Sequence, residues 1–214
     1  MATARIKICG ISTPDTLDAV LAARADYVGF NFFPPSPRHV DPSAAAALAA
    51  RAGSKIGKVG VFVDPDDGLL REAVAAGRLD AIQLHGEEAP ERCAALRSRF
   101  DLPVWKVIAV SNAADVARAD AYHQAADFIL FDAKTPKDAA LPGGMGLRFD
   151  WSLLAGLRMA LPWGLAGGLS AANVRDAIEA TGAPLVDTSS GVESAPGVKD
   201  SDRIASFCAA VRSA

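Results

Sequence analysis

The sequence predicts a (β/α)8 TIM barrel that takes up residues 1–214 as a single domain. Three observations predict it. Eight strand-like runs occur along the chain, and each is followed by a helix-like run. The strand-like runs are apolar nearly throughout rather than alternating, which marks a parallel sheet covered on both faces. The turn after the first run, "CGISTP", is not the G-x-G-x-x-G loop that an open dinucleotide-binding sheet would carry there. Eight units in 214 residues suit a closed barrel better than an open sheet, and the length serves one packed core rather than two.

Taken in order, "RIKIC" is the first strand, and Thr13 with Pro14 opens the helix "PDTLDAVLAARA". "YVGFNFF" is the second strand, followed by a stiff loop, "PPSPRHV", and an alanine-rich helix that Asp41, Pro42 and Ser43 introduce. "KIGKVGVFV" and "DDGLLREAVAAG" form the third unit, "AIQLHG" and "EEAPERCAALRSRF" the fourth. "PVWKVIAV" with "AADVARADAYHQ" makes the fifth. "DFILFDA" is the sixth strand, with the helix "RFDWSLLAGLRM" expected after a loop. "PWGLAGG" with "SAANVRDAIEATG", then "LVDTSSG" with "DSDRIASFCAAVRSA", complete the series. The loop "KTPKDAALPGGMGLR" is the longest irregular stretch. Loops of that length in a compact domain are commonly functional lids.

The bulk properties exclude several classes. Half the residues are hydrophobic, 22% are charged, and the net charge is −3, as in an ordinary globular protein. Mild acidity without a basic run argues against a nucleic-acid partner. No apolar stretch approaches the roughly 20 residues that span a bilayer, so no membrane partner is expected. The start, "MATARIKICG", lacks the pattern of a signal peptide. Three widely spaced cysteines suggest neither a disulfide framework nor a zinc site and fit a cytoplasmic location. Three dispersed histidines argue against a metal.

Barrels of this kind place chemistry at the C-terminal strand ends. Side chains two apart on a strand share a direction, so Lys7 and Cys9, Gln83 and His85, Leu130 and Asp132, and Asp187 and Ser189 pair up in orientation. Asn31, Arg38 and Lys106 are further candidates for the same mouth. An ammonium beside Cys9 would lower the thiol pKa from about 8.5 and raise the thiolate fraction. Cys93 and Cys208, on helices, are expected to be space-filling. Beneath a long glycine-rich loop, loss of water would favour the neutral form of Asp132 and let it donate a proton. His85 beside Gln83 is a candidate for positioning substrate, whereas His39 and His123 are expected at the surface or in loops. "LAGGLS" and "DTSSGVES" end the last two strands, where barrels commonly bind phosphate. Glycine admits oxygens close to backbone N–H groups, and serine adds hydroxyl donors. The pair predicts a small substrate with one phosphate. Arg38, in a proline-stiffened loop, offers a guanidinium fork suited to a carboxylate.

The stretches "KICGIS", "GFNFFPPSPRHV", "GVFV", "QLHG", "FDAK", "GGMGLRFDW", "LAGGLSAANV" and "VDTSSGVES" resemble, in that order, the phosphoribosylanthranilate isomerase family. The resemblance covers essentially the whole chain. It implies a cofactor-free and metal-free (β/α)8 barrel that isomerises N-(5-phosphoribosyl)anthranilate in tryptophan biosynthesis, as a monomer or homodimer. It implies Cys9 as general base, Asp132 as general acid and Arg38 as the holder of the anthranilate carboxylate. Gln83 and His85, from their placement at the mouth rather than from the resemblance, are expected to contact substrate. Gly167, Gly168, Ser189, Ser190 and Gly191 would hold the phosphate. Met145 stands where the family usually has threonine or serine, so no hydroxyl is expected from that point of the loop. Related barrels acting on histidine-pathway aminoaldoses carry an aspartate where Cys9 stands and grip two phosphates. A metal-dependent sugar-phosphate epimerase would need ligands that this sequence lacks, and a non-catalytic phosphate-binding barrel would not need Cys9 and Asp132 together.

Overall fold

A computed structural model of the chain describes residues 3–136 and 143–214. Eight parallel strands close into a barrel in simple sequence order. They are β1 (Arg5–Cys9), β2 (Tyr27–Asn31), β3 (Gly57–Phe62), β4 (Ala81–Leu84), β5 (Val104–Val110), β6 (Phe128–Ala133), β7 (Trp163–Leu165) and β8 (Leu185–Thr188). Closure is made by β1 pairing with β8, with Lys7 opposite Asp187. Around the sheet lie α1 (Pro14–Ala22), α2 (Pro42–Ala52), α3 (Asp67–Gly77), α4 (Pro90–Phe100), α5 (Ala113–Ala117), α6 (Val174–Thr181) and α7 (Ser201–Arg212).

Local chemistry explains the helix starts. Thr13, Asp41, Asp66, Asn112 and Asp200 each accept a backbone N–H of the first turn, filling a bond that the helix itself leaves open. Pro14, Pro42 and Pro90 sit in first turns, where the missing N–H costs nothing. Apolar helix faces then bury Leu17, Val20, Leu48, Leu70, Leu96, Ile204 and Phe207 against the outside of the sheet.

Two expectations need correction. No α-helix forms over 148–159; the chain there makes only a 3-10 turn, Trp151–Leu154, started by Asp150. Gly156 follows at φ +66°, a left-handed conformation that ends any helical run. The fifth helix is also short, passing into 3-10 geometry over Arg118–Tyr122. A feature absent from the sequence reading lies after β8, where β9 (Glu193–Ala195) pairs antiparallel with β10 (Val198–Lys199). Of the long loop after β6, residues 137–142 lie outside the described residues.

The barrel interior is split by height. Val59, Ala81, Trp105, Val107, Phe128, Leu130, Ala166 and Leu185 form an apolar plug inside the sheet. Trp105 stacks on Phe128 at 4.5 Å, and Tyr27 meets Trp105 edge-on at 5.1 Å. With the N-terminal strand halves filled by rings, inward residues nearer the C-terminal ends are left to face a pocket. Most of those residues are polar, Cys9, Asn31, Gln83, His85, Asp132 and Asp187, with Val61 among the apolar exceptions.

Candidate active site

The pocket at the C-terminal mouth encloses about 810 Å³, counting its open entrance. It is lined by Cys9, Arg38, Gln83, His85, Asp132, Gly167, Gly168, Ser189 and Ser190, so nine of the ten sequence-derived site residues converge. Gly191 does not line it. Gly191 packs beneath the β7 loop, where an added Cβ would lie 1.8 Å from the Leu169 carbonyl oxygen.

Cys9 ends β1 and is buried at 8% exposure. Its neighbour across the sheet is Gly29, where a Cβ would come within 3.0 Å of Sγ; the bare glycine makes room for the thiol. Sγ donates to Asn31 Oδ1 at 3.6 Å. Lys7, two residues earlier, is fully buried and gives its Nζ proton to Asp187 Oδ2 at 2.9 Å. Burial favours the neutral amine, but Asp187 and Cys9 hold this ammonium above its ordinary pKa. The effect on the thiol reverses the sequence expectation. Burial pushes the Cys9 pKa up, and the opposing pull of Lys7 does not overcome it. Burial outweighs that pull, and the negative charge of Asp187 beside the ammonium adds to the rise.

Asp132 ends β6, three strands from Cys9 around the barrel. Its Oδ1 accepts the Ala133 N–H at 2.8 Å, and Oδ2 lies 3.3 Å from His85 Nε2. That approach is close enough for an ion pair but lacks hydrogen-bond alignment, leaving Nε2 without a hydrogen-bond partner among the described residues. The loop returns over this corner at Gly143, where a Cβ would stand 3.0 Å from Asp132 Oδ2. Gln83 Oε1 and Asp187 Oδ1 are also buried without partners among the described residues. Buried acceptors left bare are costly unless something supplies donors, and a hydroxyl-bearing ligand would.

Arg38 is 4% exposed, with one edge of its fork held by Glu193: Nε to Oε1 at 2.7 Å and Nη2 to Oε2 at 2.8 Å. Nη2 also donates to the Gly144 carbonyl at 3.0 Å, tying the returning loop to this arginine. On the other side, Gly167 and Gly168 take φ values of +88° and +61°, which favour glycine. Thr188 Oγ1 donates to the Leu169 carbonyl at 2.7 Å and Asn173 Nδ2 to the Gly168 carbonyl at 3.0 Å. The first bond fastens β8 to the β7 loop, and the second braces the β7 loop internally. Ser189 Oγ donates to the Cys9 carbonyl at 3.1 Å, and Lys199 Nζ reaches Ser189 Oγ at 3.0 Å.

Other candidates fall elsewhere. Lys106 points out of the barrel: its Nζ bonds Glu88 Oε2 at 2.7 Å and the Gly86 carbonyl at 2.6 Å. On β5 it is Trp105 and Val107 that face inward. Asn31 does join the pocket. His123 is exposed, and His39 is partly buried in the loop bridged to Asn31. Cys93 and Cys208 are fully buried, with burial pushing each thiol up to about 11. Met145 is half exposed on the pocket rim. Glu193 and Lys199 were missed, because in "GVESAPGVKD" they read as surface charges about a Pro-Gly turn. Among the described residues, no group of three His, Cys, Asp or Glu side chains is arranged to hold a metal, and no helix is long and apolar enough to cross a membrane.

Comparison with known proteins points to one family. Residues 6–210 match the family model described as N-(5'phosphoribosyl)anthranilate (PRA) isomerase. The chain is 55% identical over 207 residues to the N-(5'-phosphoribosyl)anthranilate isomerase of Paramagnetospirillum magneticum, covering 97% of this chain and 96% of that one. It is 55% identical over 204 residues to that of Paracoccus denitrificans, covering 95% of each. The crystal structure of phosphoribosyl anthranilate isomerase from Thermotoga maritima superposes with a TM-score of 0.88 at 37% identity, covering 99% of this chain and 100% of that one. A phosphoribosyl anthranilate isomerase in complex with reduced 1-(o-carboxyphenylamino)-1-deoxyribulose 5-phosphate superposes at 0.84 and 34% identity, with coverage of 99% and 100%. An eight-stranded barrel with a thiol and a carboxyl at one mouth, matched end to end by these relatives, belongs to the N-(5'-phosphoribosyl)anthranilate isomerase family.

Proposed function

We propose that Asp132 and Cys9 carry the two proton transfers by which this chain converts N-(5'-phosphoribosyl)anthranilate to 1-(2-carboxyphenylamino)-1-deoxyribulose 5-phosphate, an Amadori rearrangement of tryptophan biosynthesis. One observation supports this reading above others: Cys9 and Asp132, 123 residues apart in sequence, line one pocket from strands β1 and β6. The carboxyl of Asp132 gives its proton to the furanose ring oxygen while the C1'–O bond breaks. The nitrogen lone pair then forms a C1'=N iminium. Cys9, as thiolate, takes the proton from C2'; that electron pair makes C1'=C2', and the iminium pair returns to nitrogen. The resulting enolamine tautomerises to the ketone. Asp132 ends ionised and Cys9 protonated, and exchange with water restores both. Each placed acid or base is typically worth about 10²–10⁴-fold.

The raised thiol pKa fits a base rather than opposing one. A thiolate formed in this buried site is scarcer at neutral pH but takes a carbon-bound proton more readily once formed. Arg38 meets the substrate carboxylate with the part of its fork that Glu193 leaves open. Gly167, Gly168, Ser189 and Ser190 meet the phosphate, with Gly191 holding the backbone beneath them. Anchoring both ends of the substrate supplies orientation, which can remove a large part of a barrier. Gln83, His85 and Asp187 present the bare polar atoms that sugar hydroxyls would satisfy.

No step in this scheme uses a metal or cofactor. One chain supplies every group named, so a monomer suffices and a homodimer would hold two independent sites. Three unpaired cysteines suit a reducing, cytoplasmic setting. The test is to mix purified protein with freshly generated phosphoribosylanthranilate and follow its fluorescence. Loss well above the spontaneous rate is expected, and a signal that decays only as the protein-free control would overturn the assignment.

A further inference from the structure

We infer that Glu193 and Lys199, delivered by the β9–β10 hairpin, are positioning residues that fix the carboxylate-binding arginine relative to the phosphate loop. Four contacts reach the Glu193 carboxylate. Oε1 accepts from Arg38 Nε at 2.7 Å and Lys199 Nζ at 2.6 Å; Oε2 accepts from Arg38 Nη2 at 2.8 Å and the Gly197 N–H at 3.2 Å. Those contacts use the acceptor capacity of a carboxylate, so Glu193 is spent on holding and is not an acid or base for the reaction. Lys199 is equally committed, its three protons going to Glu193 Oε1, the Ser189 carbonyl at 3.0 Å and Ser189 Oγ at 3.0 Å. The bonded path therefore runs Arg38, Glu193, Lys199, Ser189 and on to the Cys9 carbonyl.

All three charged groups are buried, with Arg38, Glu193 and Lys199 exposed by 4%, 6% and 8%. A bidentate arginine–carboxylate pair fixes the plane of the guanidinium as well as its place. Left unpaired, Arg38 could swing toward either anion of a substrate carrying two. With Glu193 behind it and Nη2 also donating to the Gly144 carbonyl, its position is set, and Nη1 alone is left without a hydrogen bond among the described residues. The buried trio carries two positive charges and one negative, a surplus suited to an anionic ligand. Burial drags the Lys199 pKa down, while Glu193, though burial pushes it up, is held low by Arg38 and Lys199. The hairpin thus acts as a spacer between the two anchors, and selects substrates whose carboxylate and phosphate match that spacing.

This inference rests on the proposal that Arg38 binds the substrate carboxylate, and the experiment separates the two. Steady-state kinetics would be measured for the parent, Glu193→Gln, Glu193→Asp and Arg38→Gln on two substrates. One is phosphoribosylanthranilate; the other is its analogue made from ribose 5-phosphate and aniline, which lacks the carboxylate. For Glu193→Gln we expect kcat/KM on the anthranilate substrate to fall about 10- to 100-fold, mainly through KM, and on the aniline analogue by less than about 3-fold. Glu193→Asp keeps the charge that the buried cations need, guarding against loss of fold, and should shift in the same direction by less. Equal losses on both substrates, or no loss on either, overturn the inference. If Arg38→Gln also fails to discriminate between the substrates, the assignment of Arg38 itself fails. If Arg38→Gln discriminates and neither Glu193 variant does, only the inference falls.

Discussion

Lys7 and Asp187 meet at 2.9 Å across the seam that closes the barrel, with side-chain exposures of 0% and 7%. The pair joins β1 to β8 directly beneath Cys9. Lys7→Met would strand a buried carboxylate and should lower stability by about 3–5 kcal/mol. The double variant Lys7→Met/Asp187→Asn leaves no lone charge and should recover most of that loss. Urea midpoints at unchanged slope report both values. A single variant within about 1 kcal/mol of the parent would show that the pair carries little of the closure.

The Cys9 thiol should titrate above the ordinary value of about 8.5, because burial opposes its charge. A base must be deprotonated to act, so kcat/KM should still be rising with pH through that value. The rate of Cys9 alkylation by iodoacetamide, located by mass spectrometry, should rise over the same range. Lys7→Met removes the largest of the three cationic pulls on the thiol, those of Lys7, Lys199 and Arg38, and should move the alkylation profile further up. A Cys9 that reacts at full rate by pH 7 would contradict this.

Asp132→Asn keeps the shape of the acid and removes its proton. Turnover should fall by at least the 10²–10⁴-fold associated with a placed acid. Binding of reduced 1-(o-carboxyphenylamino)-1-deoxyribulose 5-phosphate should stay within a few-fold of the parent by calorimetry. Retained turnover would remove Asp132 from the acid role, and lost binding would make it an anchor instead.

Cys93 and Cys208 keep their protons in the folded chain until about pH 11, whereas an exposed thiol releases its proton near 8.5. The folded pKa is raised, so the stability these thiols contribute is complete below about pH 8.5 and drains away as pH climbs through 11. The loss is about 3 kcal/mol for each by that point. The difference in unfolding free energy between parent and Cys93→Val/Cys208→Val should shift by that sum between pH 8 and 11. A constant difference would mean that neither thiol titrates differently on folding.

The strand-to-helix series was legible because a closed parallel sheet needs apolar residues on both faces, and runs such as "DFILFDA" supply them. The same property hid which face was inward. Trp105, Lys106 and Val107 are all compatible with either side, and only the aromatic plug decides that Lys106 goes out to Glu88. Cys9, Gln83, His85 and Asp132 were legible since each breaks an apolar run at its C-terminal end. The stretch 148–159 has helical spacing, but Gly156 and the Asp150 cap reduce it to one tight turn. Glu193 was beyond sequence reading because its arginine partner, Arg38, comes from the distant β2 loop, and Lys199 because its place is set by the fold of the hairpin back onto Ser189. A Pro-Gly turn flanked by opposite charges was the one signal available.

The proposed mechanism requires the thiolate of Cys9 to remove the C2' proton. Single-turnover loss of phosphoribosylanthranilate fluorescence, compared between the parent and Cys9→Ser with enzyme in excess, tests it most directly. A hydroxyl is far less readily ionised than a thiol, so the serine variant should turn over at least 100-fold more slowly while still binding the product analogue. A serine variant that consumes substrate at near the parent rate would rule out the Cys9 thiolate as the base.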